Sequence, residues 1–412
     1  MYIWLINHYA VPPEYYPLAR QTYFAKNLMS LGHQVTIISA SSVHNSDMNL
    51  ITDGSKWKRE TVDGVDHVYI KCCDYEGNGA KRVYNMLEFA RKLPGVCRHL
   101  EKPDAIVATS MPPWSCAKGI KLSKKYGVPG VAEIADLWPE SIVAYGVAKA
   151  SNPVIKHLRK LEKWIYMNAE SIVFTMEGAY EYIINQGWTQ EVPEEKVFYI
   201  NNGVDEELFE SNRERYQLDD PDLNDLDTFK VVYTGSIRKA NGIDMLLDAA
   251  KNIDNGRIKI LVWGKGEELD GLKKRKEEEE ISNIEFKGAV DKKEIPYILS
   301  KGDALFLDPF DEEIAKYGIS SNKLFEYFAA GKPIISNSRS PYNPAEKRGC
   351  NVYYDTTAAG ISQAIREIYD LDEEDYQDLC RKAANAAHDY SFRSLTLQLL
   401  GIIEGLRKAR KK

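Results

Sequence analysis

No stretch of this 412-residue chain approaches the ~20 apolar residues of a membrane-spanning helix, so no span is expected. The opening, MYIWLINHYA, carries no basic segment ahead of its apolar run, and no secretory signal is expected. Basic residues are in deficit. Lys and Arg total 54 against 61 Asp and Glu, a formal net charge of −7. That balance argues against a general nucleic-acid binder, whose phosphate-binding face leaves a basic chain. The 6 cysteines are scattered without metal-site spacing, and adjacent Cys72 and Cys73 make a poor disulfide pair. Reduced thiols in a cytoplasm are the expectation. The turn Gly264–Lys265–Gly266 lacks both the spacing of G-x-G-x-x-G and the Lys-Ser/Thr ending of a P-loop.

What is present is an ordinary soluble balance, 44% apolar and 28% charged. Strand, helix and strand follow one another at the start, as YIWLINHY, TYFAKNLMSLGH and QVTIISAS. Further short β-branched runs are VDHVYIK, AIVATS, PGVAEIAD and SIVFTME. The pattern restarts after an acidic loop, 217–227, with FKVVYTGSI, RIKILVWGKG, IEFKGAV, ALFLDPF and KPIISN. The acidic loop and the run KKRKEEEE read as solvated. The fold class is therefore α/β, with two tandem Rossmann-like doubly wound domains at 1–198 and 199–385. Residues 386–412 read as a C-terminal helix with a basic tail. Ligands of such sheets bind beyond the carboxyl ends of the strands, and a cleft between two such domains is the expected site.

Candidate residues follow from that rule. Gly235, Gly264 and Gly266 come just after strands, where glycine lets backbone approach a ligand or simply forms a turn. Arg238 and Lys239 supply charge for a diphosphate. In GISSNKLFEYFAAGKP, Ser320, Ser321 and neighbouring amides approach a helix N-terminus that suits anionic oxygens, with Lys323 beside them. Glu326 fits two readings, an acceptor for a ribose diol or a surface ion pair. Asp136 also fits two, a general base or an N-cap for the helix that Pro139 begins. His8, Tyr15 and Arg20 share the loop NHYAVPPEYYPLAR, a mixture suited to sugar or phosphate. Finally, residues 80–102 form a basic amphipathic helix with Val83, Met86, Leu87 and Ala90 on one face. It fits either an ordinary surface helix or a contact with anionic membrane, as does the tail RKARKK.

In their order along the chain these pieces resemble glycosyltransferase family 4, of the two-domain GT-B type. LGHQVTII resembles its Gly-His-x-Val element, YINNGVDEELF its linker signature, and NKLFEYFAAGKPII its most specific motif. PPEYYPLARQ with DLWPES is similar to a bacterial subgroup that builds capsule or O-antigen repeat units. The resemblance implies transfer from a nucleotide-sugar with retention, without a metal or other cofactor. It implies that 386–412 returns to the N-terminal domain. Glu326 falls on the second acid of the family's Glu-x7-Glu motif, which holds the ribose. Asp136 falls where a cleft acid or histidine stands, and Gly288 near the nucleobase loop.

Three positions depart from the family pattern. Gly318 stands where the first acid would be, Ser236 replaces an arginine, and Asn241 replaces a lysine. The glycine leaves room for a deoxy or acetamido group, so a UDP-linked deoxy or N-acetylated hexose is the expected donor. The expected acceptor is a lipid-linked saccharide at the inner face of a bacterial plasma membrane. Two rival functions on this architecture are a nucleotide-sugar 2-epimerase and an inactive scaffold of a polysaccharide assembly complex.

Overall fold

A computed structural model describes residues 1–15, 20–44, 46–309 and 312–411. Four residues of the first loop, 16–19, thus lie outside the described residues, as do Phe310 of ALFLDPF and Lys412 of the tail. The chain divides into two units. One comprises Met1–Asn201 and the segment from Phe392 onward, the other Asn202–Ser391. The divisions thus fall after 201 and 391, against 198 and 385 from the sequence.

In the first unit eight strands form one sheet. They are β1 (Tyr2–Ile6), β2 (Gln34–Ala40), β3 (Trp57–Val62), β4 (Val65–Ile70), β5 (Ala105–Ser110), β6 (Gly130–Ile134), β7 (Ser171–Phe174) and β8 (Val197–Tyr199), in the order β3-β4-β2-β1-β5-β6-β7-β8. All neighbours are parallel except β3 with β4. Near-continuous apolar runs make strands that are buried on both faces, as a parallel sheet covered by helices requires. Ile3, Trp4, Ile37, Val107 and Ile172 are all fully or almost fully buried. Strand β3, WKRETV, was not anticipated; it is a polar edge strand with no apolar periodicity.

The second unit carries β9 (Phe229–Thr234), β10 (Ile258–Trp263), β11 (Ile284–Gly288), β12 (Ala304–Phe306), β13 (Ile334–Ser336) and β14 (Asn351–Tyr353). Their order, β11-β10-β9-β12-β13-β14, is that of a Rossmann sheet. The order reverses between β9 and β12, which lie side by side and parallel. The core is built from Val231, Tyr233, Leu246, Leu247, Ile260, Val262, Phe306 and Ile335.

Six helices matter below: α1 (Arg20–Ser30), α2 (Ala80–Val96), α3 (Glu140–Ala144), α4 (Pro153–Asn168), α5 (Asn322–Ala330) and α6 (Phe392–Lys411). Helix α6 belongs to the first unit. Phe392 stacks on Tyr23 of α1 at 4.6 Å, Arg407 meets Asp104 at 3.2 Å, and Arg410 meets Glu170 at 2.7 Å. Two cations of the basic tail are therefore taken up inside the unit. Helix α2 turns differently from the expectation. It buries Asn85, Met86, Phe89, Ala90, Leu93 and Val96. Val83 and Leu87, expected on one face with Met86 and Ala90, are instead exposed together with Tyr84.

The acidic loop is not merely solvated. Asp220 meets Lys287 at 2.8 Å, and Asp222 pairs with both Lys287 and Lys259. These lysines lie on β11 and β10, so the loop is pinned to its own sheet. Among the described residues no helix is long and apolar enough to cross a membrane, and no group of three or more His, Cys, Asp or Glu is placed to hold a metal ion.

Candidate functional site

In the second unit the loops after β9, β10 and β11 are joined by their backbones. Gly235 N–H donates to Trp263, Ile237 N–H to Lys265, and Gly264 N–H to Gly288, at 2.8–2.9 Å. A methyl group on Gly264 would overlap the Gly235 carbonyl oxygen, and one on Gly266 would overlap that of Ile237. The glycines at 264 and 266 are therefore required by loop packing. Arg238 and Lys239 follow, exposed and without a charged partner among the described residues.

Beside that joined edge lies the point where the strand order reverses. Here Lys323, in the first turn of α5, reaches Asp308 after β12. Its ammonium lies 2.7 Å from Asp308 Oδ1 and 3.0 Å from the Tyr233 hydroxyl, and 4.4 Å from the centre of the Tyr233 ring. Asp308 Oδ2 accepts from Asn241 Nδ2 at 2.6 Å. Asn241 Oδ1 is 3.1 Å from Ser236 Oγ, and the Tyr233 hydroxyl donates to the Ser236 carbonyl at 2.8 Å. Ser236 and Asn241, two of the departures, are thus members of one network with Lys323. Asp308 was missed in the sequence. It follows a strand as Asp136 does, and the same criterion would have found it.

The N-cap of helix α5 is Ser321, whose hydroxyl makes no capping hydrogen bond. The Ser320 carbonyl accepts from Asn202 Nδ2 at 2.6 Å. Glu326, on the same helix, is partly exposed and faces Lys292 Nζ at 3.6 Å, a loose ion pair. Gly318 is buried with φ 126°, in the region that side chains other than glycine rarely adopt. The absence of an acid there is thus accompanied by a backbone that would strain one.

In the first unit Asp136 follows β6. Its side chain is exposed and takes no partner among the described residues. The N-cap of α3 is Pro139, with no side-chain cap, so the capping reading of Asp136 is not realised. Arg20 is not open to a ligand in the expected way. It begins α1, and its guanidinium donates to Glu133 at 2.9 Å and to the carbonyls of Ile200 and Asn201. Glu133, buried, also accepts from Gln21 at 3.0 Å and Thr109 at 2.7 Å. Arg20 ties α1 to β6 and to the end of the unit. His8 is 1% exposed, and burial lowers its imidazole to about 3, so the ring is neutral. Tyr15 lies in a turn, its N–H donating to Pro12 at 3.0 Å.

Comparison with known proteins bears on both units. Residues 21–208 match the family described as Glycosyltransferase Family 4, and residues 217–387 match Glycosyl transferases group 1. The chain is 24% identical over 262 residues to "Probable glycosyltransferase WbjE" of Pseudomonas aeruginosa, a match covering 63% of this chain and 62% of WbjE. It is 23% identical over 289 residues to WcaI of Escherichia coli (strain K12), which is named for colanic acid biosynthesis; that match covers 67% of this chain and 69% of WcaI. Among solved structures, HepE of Anabaena, in complex with UDP and glucose, matches in fold with a TM-score of 0.63. It is 13% identical, with 98% of this chain and 100% of that chain covered.

Proposed function

Because the chain belongs to the glycosyltransferase superfamily of the group 1 and family 4 type, we propose that it moves a sugar from a nucleotide-sugar to a lipid-linked saccharide in the making of a bacterial surface polysaccharide. The observation that carries the donor half is the cationic edge of the second sheet. Lys323 stands at the strand-order reversal, with Arg238 and Lys239 exposed nearby in sequence to the Gly235 loop and the N-terminus of α5 open beside it. Fixed cations and helix amides of this kind stabilise the charge that develops on a departing diphosphate. Glu326 is assigned the ribose, exchanging its loose pairing with Lys292 for two hydroxyl donors. Bound UDP in HepE supports a uridine nucleotide.

Asp136 is assigned the acceptor. Its carboxylate, exposed at the end of β6 and without a partner among the described residues, is placed to take the proton of the attacking hydroxyl. The sugar keeps its anomeric configuration in this reading. The glycine at 318 favours a deoxy or N-acetylated donor, because no acid there has to be satisfied by a sugar hydroxyl. Helix α2 supports contact with an anionic membrane at the inner leaflet. It exposes Val83, Tyr84 and Leu87 in a sequence with Lys81 and Arg91.

The test is turnover. The protein is incubated with a panel of UDP- and GDP-sugars, with and without a lipid-linked saccharide, and release of nucleoside diphosphate is measured. Acceptor-dependent UDP release, best with an N-acetyl or 6-deoxy sugar, supports the reading. Absence of acceptor-dependent release from every donor refutes it.

A further inference from the structure

Three loops leave the carboxyl ends of β1, β2 and β4 in the first unit, and their aromatic residues meet. Tyr9 follows β1, His44 follows β2 and Tyr75 follows β4. The Tyr9 and His44 rings are 5.0 Å apart, His44 and Tyr75 6.1 Å, and His44 Nδ1 lies 2.9 Å from the Tyr75 hydroxyl. Arg82, from the first turn of α2, reaches this group. Its Nε donates to the Tyr9 hydroxyl at 3.1 Å, and its guanidinium carbon is 5.4 Å from the Tyr9 ring centre. It also donates to the Asn78 side chain.

Two features separate this group from ordinary packing. The half-buried guanidiniums Arg20 and Arg159 are each met by a carboxylate, Glu133 and Glu140. Arg82 meets none among the described residues, although its neighbours are neutral and can balance no charge. Secondly, the floor beneath is closed and, among the described residues, carries no carboxylate. His8 is buried with its ring against the Asn85 side chain. The His8 ring lies 4.5 Å from that of Tyr9 and 5.0 Å from that of Phe89. The carboxyl end of a doubly wound sheet is where ligands enter.

We infer that Arg82, with Tyr9, His44 and Tyr75, forms a subsite for an anionic group of the acceptor, a phosphate or a carboxylate. This rests on the glycosyltransferase reading for the word acceptor, but not for the anion. The planar guanidinium presents paired donors that match either group. The half-buried rings of Tyr9 and His44 alongside offer a sugar ring an apolar surface, with buried Tyr75 holding His44 from behind. The anion has two sources, the diphosphate that joins a saccharide to its lipid or an acidic sugar within it.

Calorimetric titrations decide it, using inorganic pyrophosphate, glucuronate and glucose as probes, each with and without saturating UDP. The wild type is expected to bind one of the two anions at least 10-fold more tightly than glucose. Arg82→Gln should lose at least 10-fold of that affinity while binding UDP as the wild type does. Preference for pyrophosphate assigns the lipid diphosphate, and preference for glucuronate the acidic sugar. Arg82→Lys, which keeps the charge without the fork, should fall between the two and serves if the glutamine variant does not fold. Equal anion binding by wild type and both variants overturns the subsite, as does a wild type that binds neither anion better than glucose. If no UDP binding is found, the glycosyltransferase reading fails separately, and the titrations without UDP still judge Arg82.

Discussion

The ammonium of Lys323 lies 2.7 Å from the carboxylate of Asp308, across the point where the strand order of the second sheet reverses. Both side chains are about one-fifth exposed, 21% and 17%. The pair is therefore open enough to meet a ligand and enclosed enough for its charges to be felt. Lys323→Met is expected to weaken UDP binding ~10-fold or more, the loss of a charge-assisted bond of roughly 1.5–3 kcal/mol. It should also lower the melting temperature, because Asp308 is left without its cation. Calorimetry with UDP and a thermal melt check the two effects, and an unchanged UDP affinity removes Lys323 from the donor site.

Glu326→Ala is expected to reduce UDP affinity by a similar factor while the fold persists. Its one ion pair among the described residues, to Lys292, is loose, so little stability depends on it. A comparison of UDP with dUDP sharpens the measurement. If Glu326 holds the ribose diol, the variant should discriminate between the two less than the wild type does.

Asp136→Asn should depress turnover far more than donor affinity. The amide keeps the shape and loses the base. Steady-state kinetics at fixed acceptor report the split. Wild-type turnover in the variant would leave Asp136 without a chemical role, since it does not cap α3 either.

Gly318→Glu should lower both stability and activity. The backbone there has φ 126°, and a side chain in that region costs on the order of 1–3 kcal/mol. Gly318→Ala separates strain from bulk. Equal melting temperatures for the alanine variant and the wild type would show that the backbone relaxes without cost.

Glu162 gives a pH-dependent prediction. It is buried in α4, accepts hydroxyl bonds from Tyr166 at 3.0 Å and Tyr182 at 2.8 Å, and lies 3.5 Å from Arg159. Burial outweighs these and raises its carboxyl to about 8. The folded state therefore holds a proton that the unfolded state releases near pH 4.5. Its stabilisation is full below that value and is lost as pH rises toward about 8. His8 and His44, lowered by burial to about 3 and about 4, act in the opposite sense and cost stability as pH falls below about 6.5. The difference between wild type and Glu162→Gln isolates the carboxyl. The wild type should lose melting temperature relative to the variant between pH 5 and 8, and a constant difference would contradict the raised value.

The strands of both sheets were legible because parallel strands, buried on two faces, read as unbroken apolar runs. Trp57–Val62 was not, since an exposed edge strand has no such run, and Asn351–Tyr353 is only three residues long. The face of α2 was misread for a related reason. Its sequence carries two apolar stripes, one through Val83 and Leu87 and one through Met86, Phe89 and Leu93, and only packing decides which is covered. The pinning of Asp220 and Asp222 depends on lysines distant in sequence, which no local pattern reports. Gly235, Gly264, Arg238 and Lys239 stood out because glycines and cations after strands are a local signal. Asp308 gave the same signal and was overlooked inside an apolar stretch. Arg20 looked available because its partners, Glu133 and the carbonyls of Ile200 and Asn201, lie more than a hundred positions away.

Helix α6 sets an order of events during synthesis. The first unit takes most of its chain from residues 1–201, yet the surface that Tyr23 presents to Phe392 stays uncovered until residues from 392 onward are made. All of 202–391 is made in between. The second unit, contiguous in sequence, holds all of its own elements without that helix, while the earlier-born half stays incomplete. Proteolysis of a released chain truncated after residue 391 tests this dependence. The second unit should resist cleavage and the first remain cleavable.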